Sequence, residues 1–235
     1  YASVDARVIV LDRPNTGLVG ALNDGLKIAR GTYIARIDAD DLALPHRLQN
    51  QLRAMESDSS LVALGCHYRY IDEQDQVIRT MTPPTDHAEI DRTHLCGEKG
   101  CVIPHPAMML RAAAVRQIGG YSPKFPTAED LDLCLRLAEI GKLANLPQIL
   151  AMLRLRTTSI SRTRTAQQIR DTDGTVREAW QRRGQPVPEW YFMPEPLSEY
   201  SAAGYHGLWA RWALEEGHYR TARHHSLVML RRSEE

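Results

Sequence analysis

The apolar positions of the first 66 residues form short runs and helix-spaced stripes that alternate along the chain. A continuous apolar run at 7–11, together with β-branched and aromatic residues at 32–37 and 61–66, predicts three strands. Apolar residues at helical spacing predict helices over 18–29 and 45–55. A short crossover between strands is right-handed and makes them parallel, so we expect the strands at 7–11 and 32–37 to be parallel. The alternation predicts an α/β protein.

The pattern changes after residue 66, where the predicted elements become shorter and their order mixed. Segments 68–71 and 77–81 flank a polar turn and predict an antiparallel hairpin. Further elements are predicted as helices over 85–95, 111–118 and 128–140, a strand at 107–110 and an extended segment at 146–155. Thr127 is placed to cap the helix 128–140, and the first helical turn carries Glu129, Asp130 and Asp132. Acidic residues also favour helix N-termini through the helix dipole, so a purely structural explanation of this turn stays open.

The last third of the chain is predicted to be helical. A polar helix over 165–182 is followed by a Pro- and aromatic-rich connector at 184–196. Two further helices, 205–216 and 219–231, meet at a glycine and predict a helical hairpin. Their shared apolar face is predicted to contain Trp209, Leu214, Tyr219, Ala222 and Leu227. A single such hairpin is too small for a repeat domain, so we interpret it as an appendage or docking piece.

Candidate chemistry appears at the end of the strand 32–37, where three carboxylates are crowded together. Asp38, Asp40 and Asp41 precede Pro45, which suits the first turn of a helix. Carboxylate oxygens suit Mg²⁺ or Mn²⁺, and such ions usually share their coordination shell with substrate phosphates. Aspartate is also a favoured cap and turn residue, so an ordinary strand–helix junction is the alternative interpretation.

Composition limits the classes of function. The formal net charge is +0, so bulk electrostatics give no indication of a nucleic-acid partner. No apolar run approaches the roughly 20 residues of a membrane span, although contact with a membrane surface stays compatible with the sequence. The chain has no secretory signal pattern at Tyr1, and its four cysteines show no CxxC spacing. We therefore expect a cytoplasmic protein with free thiols.

Several short motifs follow one another in a specific order and spacing. They are Asn15-Thr16-Gly17-Leu18, Asn23-Asp24-Gly25, Gly31-Thr32-Tyr33-Ile34, Asp38-Ala39-Asp40-Asp41, Pro45 with Arg47 and Leu48, His105-Pro106, Gly119-Gly120-Tyr121, Glu129-Asp130-Leu131 and Ser159-Ile160-Ser161. Together, from about residue 7 to 161, they resemble the family 2 glycosyltransferases. The resemblance implies a GT-A fold, in which a Rossmann-like, mostly parallel mixed sheet binds the nucleotide. It further implies an N-terminally incomplete GT-A-like domain over 1–161 and a helical extension over 162–235.

The resemblance also implies an activity. A member of this family transfers a sugar from a nucleotide-sugar donor to a hydroxyl acceptor, with inversion at the anomeric carbon. The acceptor would be a sugar, a lipid-linked molecule or a protein, and the process would be polysaccharide or glycoconjugate biosynthesis. A divalent cation, Mn²⁺ or Mg²⁺, would be the cofactor.

Individual residues take roles through the same resemblance. Asp38 and Asp40 would hold the metal, and Asp130 would be the general base. The expected donor-binding residues are Asn15, Asp38, Ala39 and Arg156, and the expected acceptor-side residues are His105, Tyr121 and Glu129. Because an ordinary Asp is a weak base, we expect burial or neighbouring carboxylates to raise the pKa of Asp130.

Two departures from the family pattern qualify this prediction. The N-terminal strands that grip the base and ribose of the donor are missing from the sequence, which favours either a fragment or a truncated protein. Arg156 stands where the family often has His, and Arg can pair with phosphate but cannot bind a metal. The alternative to an enzyme is therefore a non-catalytic GT-A scaffold that binds a partner through its C-terminal helices.

Overall fold

The computed structural model describes residues 2–157, 165–191, 193 and 201–232. The motif Ser159-Ile160-Ser161, the predicted boundary after residue 161 and part of the connector 184–196 lie outside these ranges. The described residues form a six-stranded mixed sheet with helices packed around it.

The sheet is organised around one long pair of strands. The strands are β1 (Tyr33–Ala35), β2 (Leu42–Ala43), β3 (Leu61–Ile71), β4 (Val77–Met81), β5 (Met109–Arg111) and β6 (Lys142–Arg154). Their order is β1-β5-β3-β6-β2, and β4 also pairs with β3. β3 and β6 are parallel, whereas the other pairs are antiparallel. The predicted hairpin at 68–71 and 77–81 is confirmed by the pairing of β3 with β4.

Eight α-helices lie where the sequence predicts helices. In chain order they are α1 (Gly17–Ile28), α2 (Arg47–Ser57), α3 (His87–Cys96), α4 (Ala112–Gln117), α5 (Glu129–Ala138), α6 (Thr165–Arg182), α7 (Ala202–Glu215) and α8 (Tyr219–Arg232), among the described residues. α2 begins at Arg47 instead of Pro45, because His46 has a φ of 67° that lies outside the helical region. None of the helices in the described part of the chain has the length and apolar character needed to span a bilayer.

The predicted strand at 7–11 is wrong. This segment forms no strand, and Val8, Ile9, Val10 and Leu11 are all exposed. A strand needs a neighbouring backbone to satisfy its N–H and C=O groups, and the described residues place none beside this segment. The predicted parallel pairing of 7–11 with 32–37 is therefore wrong as well, and β1 pairs instead with β5 in the antiparallel direction.

Helix α5 lies in the middle of the core and is covered on two sides. Leu133 and Leu137 face the sheet, where they pack with residues of β3 and β5. Leu131 and Leu135 face the opposite way, onto Val176 of α6 and its neighbours. The start of α5, with its carboxylates, is therefore held in a fixed position between the sheet and α6.

Thr127 does not cap α5 as predicted, because it lies one residue before the N-cap position, and it binds Asp171 of α6 instead. The Thr127 N–H and Oγ both donate to Asp171 Oδ2, at 3.0 and 2.7 Å. The N-cap position of α5 is Ala128, without a side-chain hydrogen bond. The contact fastens α6 to the loop that leads into α5.

The helical hairpin of α7 and α8 packs against the β3–β4 hairpin. Trp209 and Tyr205 join Ile78 in one buried cluster, and Glu216 accepts the Thr80 N–H at 2.8–2.9 Å. The predicted shared face is only partly correct. Trp209 and Ala222 are buried, but Leu214, Tyr219 and Leu227 are 57%, 72% and 46% exposed. Docking on the sheet turns the two helices so that these three side chains point outward.

Candidate active site

The chain makes a tight turn just beyond β1, and the carboxylates lie on it. The Asp41 N–H donates to the Asp38 carbonyl at 3.2 Å, which closes the turn over Ala39. β2 follows at once and pairs with β6 at Ala151 and Met152. The end of β6, with Arg154 and Arg156, is therefore brought alongside the carboxylates.

Two carboxylates of the turn are each paired with a guanidinium group. Arg36 donates to both oxygens of Asp38, at 2.6 and 3.2 Å. Arg156 Nε donates to Asp40 Oδ2 at 2.8 Å. The Asp38 and Asp40 side chains are 42% and 40% exposed, so a ligand can reach them. The Arg156–Asp40 pair is exposed on both sides, and such pairs contribute little to stability and exchange partners readily, whereas the Arg36 side chain is only 10% exposed.

Asp41 is the most buried of the three carboxylates. Its Oδ1 accepts the Arg154 N–H at 2.7 Å. Burial raises the pKa of Asp41 to about 6, and the charges of Asp38 and Asp40 add to that rise. The Arg154 guanidinium reaches the Asp40 carbonyl at 2.9 Å and Asp75 Oδ1 at 2.6 Å, which ties the turn to the β3–β4 hairpin.

A buried polar network supports the turn from below. Arg47 Nη2 donates to the Arg36 carbonyl at 2.6 Å, and Arg47 Nε donates to Gln51 Oε1 at 3.2 Å. Gln51 Nε2 in turn donates to the carbonyls of Leu64 and Ala107, at 3.1 and 2.8 Å. The end of β1 is thereby fixed to the central strand β3. Burial lowers the pKa of Arg47.

A second acidic group lies at the start of α5. Burial raises the pKa of Glu129 from 4.5 to about 7, and the charge of Asp130 adds to the rise. Burial also raises the pKa of Asp130, while a hydrogen bond from the Leu131 N–H at 2.8 Å opposes the change. The expected direction for Asp130 is confirmed, and its physical cause is loss of solvent.

The three residues predicted on the acceptor side lie together. His105 Nε2 is 2.8 Å from the Tyr121 hydroxyl, and His105 Nδ1 is 3.8 Å from Glu129 Oε1. Burial, followed by the charge of Arg36, lowers the pKa of His105 well below its usual value, so the imidazole is neutral. Burial likewise raises the pKa of Tyr121, which keeps its proton. The result is an uncharged His–Tyr pair beside the carboxylates of α5.

Asn23 of α1 positions Tyr121 through its backbone. Asn23 Oδ1 accepts the Tyr121 N–H at 2.9 Å, and Asn23 Nδ2 donates to the Tyr121 carbonyl at 2.8 Å. Gly120 has a φ of +75°, and a Cβ there would lie 2.8 Å from Asn23 Oδ1. Glycine is therefore required both by the backbone conformation and by the closeness of Asn23.

Arg36 links the two acidic groups, and the sequence-based prediction missed it. Besides binding Asp38, it carries a positive charge that opposes the rise in the pKa of both Glu129 and Asp130. The charge also opposes the rise in the pKa of Asp41. The sequence did contain a signal for this role. Arg36 lies two residues before Asp38, on the predicted strand that leads into the carboxylates.

The remaining predicted residues divide into two groups. Arg156 reaches the carboxylate turn and Ala39 is exposed within it. Asn15 Oδ1 accepts the Gly17 N–H at 3.0 Å at the start of α1, and no contact among the described residues joins it to the turn. In the same described part of the chain, no three His, Cys, Asp or Glu side chains converge into an all-protein metal site.

This geometry can hold an anionic ligand and move a proton. Half-exposed carboxylates next to Arg36, Arg154 and Arg156 suit a cation shared with phosphate oxygens, or phosphate oxygens bound directly by arginine. A partly buried carboxylate with a raised pKa at the start of α5, Asp130, suits a general base. The two groups are separate but lie within electrostatic reach of the same guanidinium of Arg36.

Comparisons with known proteins show the family to which the chain belongs. The family model described as glycosyl transferase family 2 matches residues 1–119. Over 192 residues the chain is 30% identical to the putative glycosyltransferase EpsE of Bacillus subtilis, covering 80% of this chain and 66% of that protein. Over 155 residues it is 32% identical to the amylovoran biosynthesis glycosyltransferase AmsE of Erwinia amylovora, covering 66% of this chain and 56% of that protein.

A solved structure supports the fold. S. aureus TarS 1–349, in complex with UDP-GlcNAc, aligns with a TM-score of 0.52 at 15% identity, over 71% of this chain and 49% of that chain. The likeness confirms the predicted GT-A fold, with its mixed sheet and flanking helices. The chain spans from about half to two thirds of the length of these three proteins.

Proposed function

The chain belongs to glycosyl transferase family 2, and on that basis we propose that it is the catalytic part of an inverting glycosyltransferase. It transfers a sugar from a nucleotide-sugar donor to a hydroxyl group of a sugar, lipid-linked or protein acceptor. The observation that carries the proposal is the pair of acidic groups on either side of Arg36, one exposed on a turn and one buried at a helix start. The name of the Erwinia relative supports a role in polysaccharide biosynthesis.

The donor side is assigned to the turn after β1. Arg156 is exposed, and its one ion pair among the described residues is with a half-exposed carboxylate, so its guanidinium can turn to the donor phosphates at little cost. Asp38 is held by Arg36, and we assign it to a donor group or a metal. Asn15 and Ala39 stay predictions as donor-binding residues.

The residues of the turn fit a divalent cation. Asp38 and Asp40 offer half-exposed oxygen ligands, and Mg²⁺ or Mn²⁺ commonly takes one or two carboxylates and completes its shell with water and substrate phosphates. When bound, such an ion would neutralise the charge that develops on the diphosphate leaving group.

The acceptor side is assigned to the start of α5. Asp130 takes the proton of the acceptor hydroxyl, whose oxygen then attacks the anomeric carbon from the face opposite the diphosphate. Inversion follows because the base and the leaving group lie on opposite sides of the sugar. The neutral His105–Tyr121 pair borders this side and offers uncharged hydrogen-bonding groups to the acceptor.

We expect the enzyme to act in the cytoplasm. Cys66, Cys96, Cys101 and Cys134 are free thiols in the structure. Cys101 and Cys134 lie with their sulfur atoms 3.6 Å apart without being bonded. Neighbouring free thiols are typical of a reducing compartment.

Nucleotide binding is the first test. UDP, GDP, dTDP and CMP are added to the chain, each with Mn²⁺ and with EDTA, and the melting temperature is measured. A ligand at about a hundred times its Kd adds about 2.7 kcal/mol, which corresponds to a rise of roughly 5–10 °C for a chain of this size. We expect one nucleotide to raise the melting temperature and EDTA to remove the effect.

Transfer by an Asp130→Asn variant is the second test. Removing a general base typically lowers the rate by about 10² to 10⁴, and donor binding should be unchanged because the donor residues lie on another element. Asp173→Asn on α6 is the matched control, a partly exposed aspartate with one surface ion pair. Normal turnover by the Asp130 variant would exclude this residue as the base.

The alternative function is a non-catalytic scaffold, and two observations favour it. The apolar segment at 8–11 is exposed, and Asp38 and Asp40 are already paired with arginine. A scaffold would show no melting shift with any nucleotide, in this chain or in a longer protein that contains it. A metal-dependent shift with one nucleotide would rule it out.

A further inference from the structure

Helix α8 is strongly basic. Its sequence contains Arg220, Arg223, Arg231 and Arg232 together with two histidines, and it has no acidic residue. The whole chain has a formal net charge of +0, so this helix concentrates positive charge that is balanced elsewhere. All four arginines are exposed.

The inner face of α8 packs against α7 and the β3–β4 turn. This packing determines which face of α8 is exposed to solvent. Thr221, Ala222 and His225 are buried. His225 Nδ1 lies 3.0 Å from His206 Nδ1 of α7, and His225 Nε2 lies 3.3 Å from Asp72 Oδ2 at the β3–β4 turn. The helix cannot rotate without breaking this buried contact.

The outer face combines arginines with apolar side chains. Tyr219, Arg223, Leu227 and Arg231 recur every four residues and form one exposed stripe, with Arg220 beside it. Leu214, at the end of α7, is exposed close to the same end of the helix. These are the apolar residues that the sequence pattern had predicted between the two helices.

The arginines of this face have no carboxylate partners in the described part of the chain. The nearby acidic residues are already engaged, since Glu215 lies 3.8 Å from Arg211 and Glu216 accepts the Thr80 N–H. Arg220, Arg223 and Arg231, which have no ion pair among the described residues, lie beside exposed apolar side chains and together suit a ligand that is both anionic and apolar.

We propose that the outer face of α8 binds an anionic phospholipid surface, with the helix lying in the plane of the interface. Headgroup phosphates complement the arginines, and Tyr219 and Leu227 enter the boundary between headgroups and acyl chains. Double-stranded DNA would satisfy the arginines but would leave the leucine and tyrosine in water. A symmetric second copy would bring like charges together.

The proposal is independent of the transferase assignment, because its readout is binding and not transfer. The 14-residue helix is about 21 Å long, and each arginine near an anionic surface strengthens binding about fivefold. We therefore expect weak, reversible and salt-sensitive association of the whole chain with membranes.

Vesicle co-sedimentation tests the proposal with the full chain. Vesicles of phosphatidylcholine containing about one third phosphatidylglycerol are compared with pure phosphatidylcholine. We expect binding to the anionic vesicles alone, and its loss at about 0.5 M NaCl, where the Debye length falls to a few ångströms. Binding of equal strength to the neutral vesicles would overturn the proposal, because it would reflect exposed apolar surface in general.

Matched variants locate the surface. Replacing Arg220, Arg223 and Arg231 together by Gln should weaken binding about 100-fold. The control replaces Arg30, Arg53 and Arg92, three exposed arginines on other elements, and should bind like the parent. Melting curves of both variants are recorded to check that they fold. An equal loss in both would overturn the proposal, since net charge and not α8 would then determine binding.

A single substitution tests the contribution of the apolar side chains to membrane binding. Leu227→Gln should weaken binding to the anionic vesicles severalfold without changing the salt dependence. Unchanged binding by this variant, or binding of double-stranded DNA with the same loss in the triple-arginine variant, would indicate a general polyanion site and contradict a lipid surface.

Discussion

Replacing Glu129 by Gln should stabilise the protein at high pH and leave its stability nearly unchanged at low pH. Glu129 is 7% exposed and lies beside Asp130 at the start of α5. Gln has nearly the same size and mimics the protonated carboxyl. The variant therefore removes the cost of burying a charge without creating a cavity.

The magnitude follows from the pKa of Glu129, which burial raises from 4.5 to about 7. The folded protein holds this proton up to about pH 7, whereas the unfolded chain releases it near 4.5. Stability from the protonated form is complete below pH 4.5, falls as the pH rises and is lost above about pH 7. Since one pKa unit is about 1.4 kcal/mol, the buried charge costs the folded state about 3 kcal/mol at high pH.

Urea unfolding at two pH values measures the effect. At about pH 8 the variant should be more stable by about 3 kcal/mol, which moves the midpoint by roughly 1 M urea. At about pH 4.5 the two midpoints should agree to within about 0.5 kcal/mol. Glu98→Gln is the control, since Glu98 is exposed and its replacement should shift neither midpoint.

One result would refute the reasoning. If Glu129→Gln changed the free energy of unfolding equally at both pH values, the effect would come from packing or hydrogen bonding. The ionisation of Glu129 would then cost the folded state no free energy. The conclusion that burial raises the pKa of Glu129 would be wrong.

Two further predictions use pairs of matched variants. Arg136→Met should cost about 3–5 kcal/mol, because Arg136 is the partner of buried Asp132 and also donates to the Ile118 and Gly120 carbonyls. Arg177→Met breaks a similarly spaced pair on the surface of α6 and should cost less than about 0.5 kcal/mol; equal costs in thermal unfolding would contradict the burial argument. Gly120→Ala should cost more than Gly184→Ala, although both glycines have positive φ, because the new Cβ at Gly120 meets Asn23 Oδ1 and the one at Gly184 meets open space. The excess should be about 1–2 kcal/mol in urea unfolding, and no excess would show that Asn23 moves aside freely.

The arrangement of Arg36 has a consequence for catalysis. The guanidinium is only 10% exposed, and its charge favours the ionised forms of both Glu129 and Asp130. Burial acts in the opposite direction on the same two groups. Two opposing effects therefore set the pKa of the proposed base, Asp130. Desolvation raises this pKa, and the positive charge of Arg36 limits the rise.

Local pattern was sufficient to locate the helices and the acidic turn. A helix is a set of contacts three and four residues apart, so local sequence predicted all eight described α-helices, from apolar periodicity in helices such as α1 and α5 and as a polar helix at 165–182. Asp38, Asp40 and Asp41 are adjacent in sequence, and a short turn necessarily keeps them together. The hairpin of β3 and β4 was predicted for the same reason, since its strands are joined by a short polar turn.

Strand pairing needed the tertiary structure, because each strand depends on a neighbour far away in sequence. The apolar run at 7–11 has strand composition but no adjacent backbone among the described residues. β1 pairs with β5 across more than seventy positions, and no local signal gives that pairing or its antiparallel direction.

The partners of the site residues also depend on the tertiary structure. The sequence placed carboxylates at Asp40 and Glu129, but their partners come from β6 and from the His105 turn. Likewise, the spacing of Tyr219 and Leu227 showed an apolar stripe and could not show which way it faced. Composition and spacing determine what an element can bury, whereas packing against the rest of the chain determines what it does bury, because burial and charge pairing depend on residues that are distant in sequence and close only in the fold.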